Sequence, residues 1–571
     1  MRTQRTKVFI AGGGSVGMSL AAELSYRGVD CLIAEKSKEV NPHPRANAIA
    51  SRTMEYYRRW GIDQDLVNSG ISPNLPADYF FVSSLSGRVV YKIALPSHNT
   101  LMELVSSGKE IDPRLNYSPY LKTILGQNEV DKILKDHVYT RENIEKKFGW
   151  EVVGMTQNNQ EVTALIKNTD SGEVEEVVAD YLVACDGGRS LVRSTLGIKL
   201  EGEAGLGSFL AIHFKAPGLN RVFGHGNIYF LLRKESAGFV MNWDGGTTYT
   251  YHYILHEGEK WEDIQPEKLI KTIAGWDIPV EIYSCQPWTA HALVAKQYRC
   301  GRMFLAGDAA HLFTPTGGFG MNTGVSDIMD IAWKLQALLE GWGGDILLDT
   351  YFEERRPIGV RNTQISGNYF KVLKNIYRFG EVLDENTPAG EDARLQIHAD
   401  LDAQVVGLID SAGCLLGYRY EGSAICVPDG SEAPPDHPRL YYPTSRPGHR
   451  APHVWIDKQR SVLDLFGKGF TLLRFDPSID CGAMEAAARA CGMPLALVDI
   501  QHPEAARVYE KKLVLVRPDL MVAWRSDNMP DHPSAILDRV RGLSTRIDVP
   551  AAVKDKQGSN QQPHTTANET G

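Results

Sequence analysis

The sequence predicts an α/β protein in which a parallel sheet is combined with an antiparallel sheet and a second α/β unit. Three observations predict this class. A β–α–β pattern opens the chain, alternating aromatic-rich segments occupy about 205–290, and mixed α/β patterning returns over about 405–545. The 571 residues, 43% of them hydrophobic and 23% charged, are enough for several globular domains.

Composition argues against several classes of protein. The net charge of −9 is unfavourable for binding a phosphate backbone, so no nucleic-acid partner is expected. No run of 18 apolar residues is present, and the apolar run of the opening MRTQRTKVFIAGGG is too short for a signal peptide. We therefore expect a cytoplasmic protein with no membrane partner and with its eight cysteines as thiols. Those cysteines form no C-x-x-C pair, and no metal site is expected.

The first element is a short buried strand over 7–11 (KVFIA), which runs into a glycine turn. Apolar residues at helical spacing predict a helix over Ser15–Tyr26, and Gly28 is placed to end it. A second apolar strand, Cys31–Ala34, ends at Glu35. A strand, helix and strand of this length predict two parallel neighbours in one sheet.

The turn between the first strand and helix carries the spacing Gly12-x-Gly14-x-x-Gly17. Gly12 permits the tight turn, Gly14 lets a pyrophosphate approach the backbone, and Gly17 lets helix and strand pack closely. The helix N-terminus offers free N–H groups to phosphate. Glu35, at the end of the second strand, can accept hydrogen bonds from a ribose and repels a 2′-phosphate, which favours FAD or NAD over NADP. An ordinary glycine-rich turn is the alternative.

The middle of the chain alternates helices and strands before and after the antiparallel region. Helices are predicted over Ser51–Trp60 and about Gln127–His137, and a strand–turn–strand pattern covers 152–184. Segments such as SFLAIHF, NIYFLLR and TYTYHYI then predict antiparallel strands between about 205 and 290. A buried strand at Met303–Ala306 is followed by a glycine loop and a long helix from about Asn322.

The glycine loop after the strand at 303–306 is the second candidate binding segment. Asp308 can accept a hydrogen bond from a sugar-alcohol hydroxyl, and the glycines at 317, 318 and 320 let a flat ring lie against bare backbone. The helix near Asn322 directs N–H groups at electron-rich oxygen. Two such sites nearly 300 residues apart suit a long, two-part cofactor; a capped helix alone explains Asp308 but not the glycines.

Four segments together resemble the FAD-dependent aromatic hydroxylases of the para-hydroxybenzoate hydroxylase type, which are single-component flavoprotein monooxygenases. They are GGGSVG with Glu35, PRANAIASRTME (44–55), YLVACDGGRSLVRSTLG (181–197) and GDAAHLFTPTGGFGMNTG (307–324). Two later segments, APHVWID…SVLDLFGKGFTLLRF (451–475) and LVRPDLMVAWR (515–525), resemble the thioredoxin-like C-terminal domain of the phenol and chlorophenol hydroxylase branch. The resemblance covers about 1–545.

This resemblance implies a Rossmann-like FAD-binding domain with an inserted antiparallel-sheet substrate domain and a C-terminal thioredoxin-like domain. We place the FAD-binding domain at 1–75, 100–204 and 295–380, and the substrate domain at 76–99 and 205–294. The polar, acidic stretch 381–400 is predicted to be a linker, 401–550 the thioredoxin-like domain, and 551–571 a disordered tail.

The resemblance also implies which residues bind the cofactor. The glycine turn would hold the FAD pyrophosphate, Glu35 the ribose, Asp308 the ribityl or pyrophosphate region, and Arg45 the pyrophosphate and incoming NAD(P)H. Asp186 and Arg193 belong to a D-G-x-x-S-x-V-R motif linked to both FAD and pyridine nucleotide. The complete predicted cofactor set is Gly12, Gly14, Ser15, Val16, Gly17, Glu35, Lys36, Arg45, Gln127, Asp186, Arg193, Asp308, Gly318, Gly320, Met321 and Asn322.

The implied reaction is hydroxylation of a phenolic ring with NAD(P)H and O2, through a flavin hydroperoxide and without a metal. An electrophilic oxygen reacts best with a phenolate, and ionising a phenol of pKa about 10 at pH 7 costs about 4 kcal/mol, so a base or a positive field is needed. His213 or Tyr229 is hypothesised to contact the substrate hydroxyl, with Pro315 lining the substrate side and Asn47 near the flavin. A core or surface aromatic is the alternative reading of His213 and Tyr229.

Three functional alternatives stay open. The substrate could be a small phenol or a polycyclic polyketide or other secondary metabolite, and pocket volume would separate these two. A flavin-binding protein without turnover is the alternative from another class. A disulfide reductase lacks its cysteine pair, since Cys481 and Cys491 are ten residues apart. A homodimer is implied by the resemblance alone, and Leu520 stands where the C-terminal signature usually has glycine.

Overall fold

The protein is described by a computed structural model over residues 2–106, 113–404 and 411–543. The predicted disordered tail, 551–571, lies outside the described residues. None of the helices in these ranges combines the length and apolar character that a membrane crossing requires.

Strands account for three large sheets and a two-stranded one. In chain order the strands of the described ranges are β1 (Arg2–Ala11), β2 (Cys31–Glu35), β3 (Ala48–Ile49), β4 (Tyr79–Val82), β5 (Val89–Ile93), β6 (Thr123–Ile124), β7 (Ile144–Phe148), β8 (Trp150–Gln157), β9 (Val162–Asn168), β10 (Val174–Ala184), β11 (Leu200–Lys215), β12 (Ile228–Leu231), β13 (Gly238–Asn242), β14 (Thr248–Ile254), β15 (Glu281–Ala295), β16 (Arg299–Cys300), β17 (Met303–Leu305), β18 (His311–Leu312), β19 (Phe470–Arg474), β20 (Leu495–Asp499), β21 (Leu513–Val516) and β22 (Val522–Ser526).

Helices cover the sheets and connect them. In the same ranges they are α1 (Ser15–Arg27), α2 (Ser51–Trp60), α3 (Asp63–Ser69), α4 (His98–Ser106), α5 (Gln127–Tyr139), α6 (Leu191–Thr195), α7 (Pro266–Ala274), α8 (Phe319–Leu339), α9 (Ile346–Ile376), α10 (Pro388–Gln404), α11 (Ala412–Leu415), α12 (Gly482–Ala490), α13 (Pro503–Tyr509) and α14 (Pro533–Val540).

The first sheet contains the predicted parallel β–α–β unit. β1 pairs in parallel with β2 on one side and with β10 on the other, and β7 and β17 extend the parallel set. Residues 8–11 of β1 are fully buried, and α1 packs against this strand and against α8. Helix α1 ends at Gly28, whose φ of 83° is the left-handed conformation that glycine adopts freely. The predicted parallel Rossmann-like arrangement is confirmed.

The second sheet has eight strands in the order β18-β15-β11-β14-β13-β12-β4-β5. Its pairs are antiparallel except β12 with β4, which is parallel. Because paired residues share a face, His213, Thr250, Met241, Ile228 and Tyr79 form one row across five strands. The residues between them, such as Tyr229, point to the opposite face. The predicted antiparallel sheet is therefore present, and β4 and β5 from 76–99 form one edge of it.

The third sheet has the order β20-β19-β21-β22, with β19 and β20 parallel and the remaining pairs antiparallel. Helix α12 connects the parallel pair, and α13 precedes β21. This is a thioredoxin-like arrangement. The sheet packs on α8, where the buried Trp333 ring lies 5.6 Å from that of Phe470.

The predicted linker at 381–400 is wrong. It forms a 3-10 turn, Glu381–Asp384, and most of α10, whose Ala393, Ile397 and Leu401 are buried in the core that covers β5. Asp384 also accepts a hydrogen bond from Arg233 at 2.9 Å. The charged residues of this stretch occupy the outer face of a packed helix. A smaller difference is that α8 begins at Phe319, three residues before the predicted Asn322, because the glycine loop ends earlier.

Candidate active site

The glycine turn is shaped by contacts that exclude side chains at two of its three positions. Gly12 has a φ of 103°, and a Cβ placed there would lie 2.3 Å from the carbonyl oxygen of Cys185. A Cβ on Gly17 would lie 2.0 Å from the Gly12 oxygen. At Gly14 a Cβ would have no heavy atom within 4 Å. The first and third glycines are therefore needed for packing, whereas the second leaves space beside the backbone.

That space opens into a cleft of about 430 Å³, which we call the glycine cleft. It lies at the carboxyl ends of β1, β2 and β10, where the start of α1 supplies free N–H groups. The cleft brings together seven residues of the predicted cofactor set: Gly12, Gly14, Glu35, Lys36, Arg45, Gln127 and Asp186.

Glu35 is fixed at the edge of this cleft by backbone donors. Its carboxylate accepts the N–H of Gly13 at 2.8 Å and that of Ser37 at 2.9 Å. Lys36 and Arg45 are exposed beside it. The cleft thus presents an oriented carboxylate beside the cations of Lys36 and Arg45, which suits a nucleotide with its ribose and phosphates.

A second polar group lies where α5 meets the start of α1. Gln127 donates to the hydroxyl of Ser15 at 3.1 Å, and Ser15 donates to Asp131. Desolvation by the surrounding protein raises the pKa of Asp131 to about 6. Sequence reasoning identified Gln127 but missed Asp131, which follows it by four residues on the same face of α5. Val16, in the first turn of α1, instead lies under Gly307 and Gly324.

Asp186 occupies the cleft wall after β10. One carboxyl oxygen accepts the N–H of Val192 at 3.2 Å, and the other is buried without a partner in the described structure. Burial raises the pKa of this carboxyl. Arg193 does not reach the cleft, since its guanidinium donates to the carbonyls of Ala309 at 3.0 Å and Gly188 at 2.8 Å. Arg193 therefore joins the Asp-Gly turn to the turn that carries Asp308.

Asp308 lies in a 3-10 turn, Gly307–Ala309, and its side chain is open to solvent. The following loop passes through Gly317 and Gly318, with φ of 86° and 67°, before α8 begins. These two positions require glycine because other residues rarely adopt such angles.

The start of α8 carries the remaining predicted residues. Gly320 and Met321 are half-buried in its first turn. Asn322 is buried, and its amide accepts from Ala50 at 2.8 Å and donates to Gly318 at 2.7 Å. All of its described hydrogen bonds are therefore internal, and they attach the glycine loop to the segment before α2.

A cavity of about 60 Å³, which we call the loop cavity, separates the glycine loop from the antiparallel sheet. Pro315, Gly317 and Asn47 line one side of it, and the buried Phe230 and Met241 line the other. The side-chain nitrogen of Asn47 is buried without a partner in the described structure. Asn47 and Pro315 thus face the antiparallel sheet across the loop cavity.

Neither predicted substrate-contacting aromatic reaches this cavity. The Tyr229 side chain is on the opposite face of β12, where it donates to the Gly224 carbonyl and stacks on Phe80 at 5.4 Å. His213 shares the cavity face, but Thr250 separates it from Met241 in the row, and its ring packs 5.2 Å from Tyr283. Strand alternation places Tyr229 on the opposite face and strand order places His213 two strands from Met241, so neither side chain lines the loop cavity.

A larger cavity of about 400 Å³ adjoins the loop cavity and was not anticipated from the sequence. We call it the apolar cavity, since Leu75, Ile93, Leu101 and Ile124 are among its lining residues. Tyr79 and Lys122 line both cavities. The residues come from β4, β5, α4, β6 and intervening loops, so no single sequence motif could have indicated this space.

The glycine cleft, the loop cavity and their chemistry fit a bound FAD. Gly14 leaves room beside the backbone, and Asp186 holds a buried oxygen without a partner. The donors and acceptors of the cleft match a dinucleotide, and the bare backbone at Gly317 and Gly318 suits a flat ring.

Comparison with known proteins identifies both parts of the chain. Residues 5–366 match the FAD binding domain family, and residues 444–544 match the aromatic-ring hydroxylase C-terminal family. A 4-methyl-5-nitrocatechol 5-monooxygenase of Burkholderia sp. is 31% identical, covering 94% of this chain and 97% of its own. A putative polyketide hydroxylase of Streptomyces halstedii is 32% identical, over 91% and 93% of the two chains.

A solved structure shows the same architecture with the cofactor in place. The ternary complex of aklavinone-11 hydroxylase with FAD and aklavinone superimposes with a TM-score of 0.78 at 28% identity, covering 94% of this chain and 98% of that one. The chain therefore belongs to the FAD-dependent monooxygenases that hydroxylate aromatic substrates, and FAD is its cofactor.

Proposed function

We propose that this protein uses NAD(P)H and O2 to hydroxylate a phenolic ring held at the junction of the loop cavity and the larger apolar cavity. One oxygen atom replaces a ring hydrogen as a hydroxyl group. The other leaves as water, after uptake of the two electrons of NAD(P)H and the protons that accompany them. The single observation that carries the proposal is the position of the loop cavity, between the glycine loop and an apolar sheet face. A ring that extends from the apolar cavity into this space would lie directly against the loop.

The residues of the glycine cleft would hold the cofactor, which when bound supplies electron transfer from NAD(P)H and oxygen transfer to the ring. The N–H groups at the start of α1 would hold the pyrophosphate, and Glu35 would accept hydrogen bonds from the ribose. Arg45 is exposed beside the cleft and would attract the phosphates of NAD(P)H. We assign no role to a metal, because the flavin supplies the oxygen chemistry.

The sheet face would orient the substrate and keep water away from it. Phe230, Phe239 and Met241 are each no more than 7% exposed and form an apolar wall opposite Pro315. Water near the reacting centre would favour release of hydrogen peroxide without hydroxylation of the ring. An apolar wall that excludes water therefore favours formation of the hydroxylated product. Asn47 would offer its unpartnered nitrogen as a hydrogen-bond donor to an oxygen of the substrate.

The volume of the apolar cavity favours a polycyclic substrate over a one-ring phenol. Its 400 Å³ is within the range of about 300–1,000 Å³ that is usual for drug-sized ligands. A space of about 150 Å³ is already enough for benzene. A one-ring phenol at the junction of the two cavities would leave most of the apolar surface without a partner, whereas a fused-ring substrate would extend across it. The polyketide hydroxylase among the relatives is consistent with this choice.

The proposal is tested with purified, FAD-loaded protein and three phenols of increasing size: phenol, 2-naphthol and the three-ring emodin. NADH and NADPH oxidation, O2 uptake, hydrogen peroxide and product mass are measured for each. We expect phenol-dependent NAD(P)H oxidation, and more product per NAD(P)H with the fused-ring compounds than with phenol. Light scattering on the same sample tests the homodimer that we also propose.

Two outcomes would contradict these assignments separately. If none of the phenols increases NAD(P)H oxidation or forms product, the protein is a flavin-binding protein without this activity. If phenol is coupled to product formation as well as emodin is, the cavity does not select for size. Protein stripped of FAD is the control for oxidation that does not depend on the cofactor.

A further inference from the structure

We propose that Lys122 is a catalytic residue, whose ammonium group stabilises the ionised hydroxyl of a polycyclic phenol. This inference rests on the proposed function and adds to it the group that lowers the cost of forming the phenolate. It assigns the substrate as a phenol with its acidic hydroxyl at the junction of the loop and apolar cavities.

The backbone around Lys122 is fixed relative to the loop cavity. Strand β6 follows it directly and pairs with β3, with Thr123 opposite Ile49. The N–H of Leu125 donates to the carbonyl of Asn47 at 3.1 Å. Since Asn47 also lines the loop cavity, the pairing holds Lys122 beside that cavity. Its position does not depend on a side-chain contact.

Lys122 is the residue through which a charge can act on both cavities. It lines the loop cavity together with Pro315 and Gly317, and the apolar cavity together with Leu121 and Ile124. The side chain is half-buried, and no residue of the described ranges forms a hydrogen bond or ion pair with its ammonium group. A cation in apolar surroundings without a counter-ion favours binding of an anion.

No other titratable group in the described walls of the two cavities supplies a positive charge or neutralises that of Lys122. The other titratable groups there are His98, in the apolar cavity, and Tyr79, which lines both. Desolvation lowers the pKa of His98, so its imidazole is neutral near pH 7. The described walls hold no carboxylate that could pair with the lysine. Lys122 therefore supplies the positive field in this part of the protein.

A positive field is what an aromatic hydroxylation by electrophilic oxygen requires. A phenol has a pKa of about 10, and a cation within about 4–6 Å lowers the pKa of such an acid by about 1–3 units. The role assigned to Lys122 is electrostatic, and the lysine does not take up the proton of the phenol. The phenol O–H bond breaks, its proton passes to water, and the electron pair stays on the oxygen beside the ammonium group.

The test compares the wild-type holoenzyme with Lys122→Met and Lys122→Arg, using 2-naphthol as the probe. Absorbance titration gives the pKa of the bound naphthol without turnover, and kcat/KM is measured across pH. We expect Lys122→Met to raise the bound pKa by about 1–3 units and to lower kcat/KM at pH 7 by about 10- to 1,000-fold. The loss should shrink at high pH, and Lys122→Arg should restore most of the shift.

Two controls distinguish the loss of the Lys122 charge from a general effect of the substitution on the folded protein. Lys296→Met removes an exposed lysine that pairs with Glu201 outside both cavities, and it should leave the naphthol pKa unchanged. Binding of 2-methoxynaphthalene, which cannot ionise, should be the same in wild type and Lys122→Met. If Lys122→Met does not retain FAD, Lys122→Gln is measured in its place.

The outcomes distinguish this inference from the proposed function. An unchanged pKa of bound 2-naphthol in the neutral variants overturns the role of Lys122, even if the wild type hydroxylates naphthol. A wild type that hydroxylates none of the phenols contradicts the proposed function, whatever the titration gives. A pH profile that moves together with the bound pKa supports both.

Discussion

Replacing Gly14 with alanine should weaken FAD binding while leaving the fold intact. Gly14 has φ of −75° and ψ of −175°, which alanine also adopts, and its Cβ would touch no heavy atom within 4 Å. The lower entropy of the unfolded chain stabilises such a variant by about 0.4–1 kcal/mol. Because Gly14 is the N-cap of α1, where alanine is unfavourable, that gain is offset. Tm of the apoprotein should therefore change little.

The new methyl group would occupy the space through which a pyrophosphate approaches the start of α1. Losing one hydrogen bond between a backbone N–H and a charged phosphate oxygen costs about 1.5–3 kcal/mol. This corresponds to an increase of about 10- to 150-fold in Kd for FAD. The assay is titration of apoprotein with FAD, followed by flavin fluorescence, with Tm measured on the same preparations.

Gly17→Ala is the matched control, since its Cβ would lie 2.0 Å from the Gly12 oxygen. That contact must displace α1 from β1, so this variant should have a lower Tm as well as a lower affinity for FAD. If Gly14→Ala binds FAD as tightly as wild type, the pyrophosphate does not lie against this turn. If Gly17→Ala keeps the wild-type Tm, the packing argument is wrong.

Three further predictions concern other parts of the molecule. Asp131, with its pKa raised to about 6, gains negative charge above that pH beside the phosphates, so FAD affinity should fall by up to about tenfold as pH rises through 6; Asp131→Asn should abolish the dependence, and its persistence would exclude Asp131 as the cause. Leu520→Gly should lower Tm: it relieves about 1–2 kcal/mol of strain at φ 68° but removes a buried leucine, a loss of about 2–5 kcal/mol, and a higher Tm would show that strain dominates. Tyr229→Phe should leave product per NAD(P)H unchanged, because the side chain points away from the loop cavity; a fall in that ratio would contradict the strand register.

The glycine turn and the position of Glu35 could be predicted from the sequence, because the conformation of each depends on residues close to it along the chain. The turn from Gly12 to Gly17 depends on a strand, a tight turn and a helix in succession, and the structure places these elements as predicted. Glu35 follows the same logic at the end of β2. Residues 381–400 were predicted to be a linker because their polar, acidic composition was given more weight than the helical spacing of their apolar residues. Ala393, Ile397 and Leu401 recur at intervals of four, which is the spacing of one buried helix face.

The substrate side could not be read in the same way, because it depends on strand order. Whether His213 or Met241 borders the loop cavity is decided by which strands pair, and Thr250 lies between them in the row. Lys122 reaches the cavity because β6 pairs with β3, about 75 residues earlier in the chain. The alternation of side chains along a strand predicts which face of the sheet a residue such as Tyr229 occupies. It does not predict how many strands separate that residue from the cavity.

The contacts of the thioredoxin-like unit indicate a structural role, and the separation of Cys481 and Cys491 argues against a redox-active disulfide between them. Cys481 and Cys491 flank the nine residues of α12, a helix about 13.5 Å long, whereas a disulfide needs Cα atoms within about 7 Å. The unit instead contributes Arg517, fully buried, whose guanidinium bonds to Glu354 at 2.6 Å and Asp330 at 3.0 Å.

Those two carboxylates belong to α9 and α8, and α8 is the helix that the glycine loop leads into. Removing one member of such a buried ion pair costs about 3–5 kcal/mol, because the remaining charge is left without a partner. Loss of the C-terminal unit would leave Lys334, at 2.7 Å from each, as the remaining described ion-pair partner of Glu354 and Asp330. Arg517 therefore joins the C-terminal unit to α8 and α9, and a change at Arg517 should reach the cofactor through α8 rather than through any thiol.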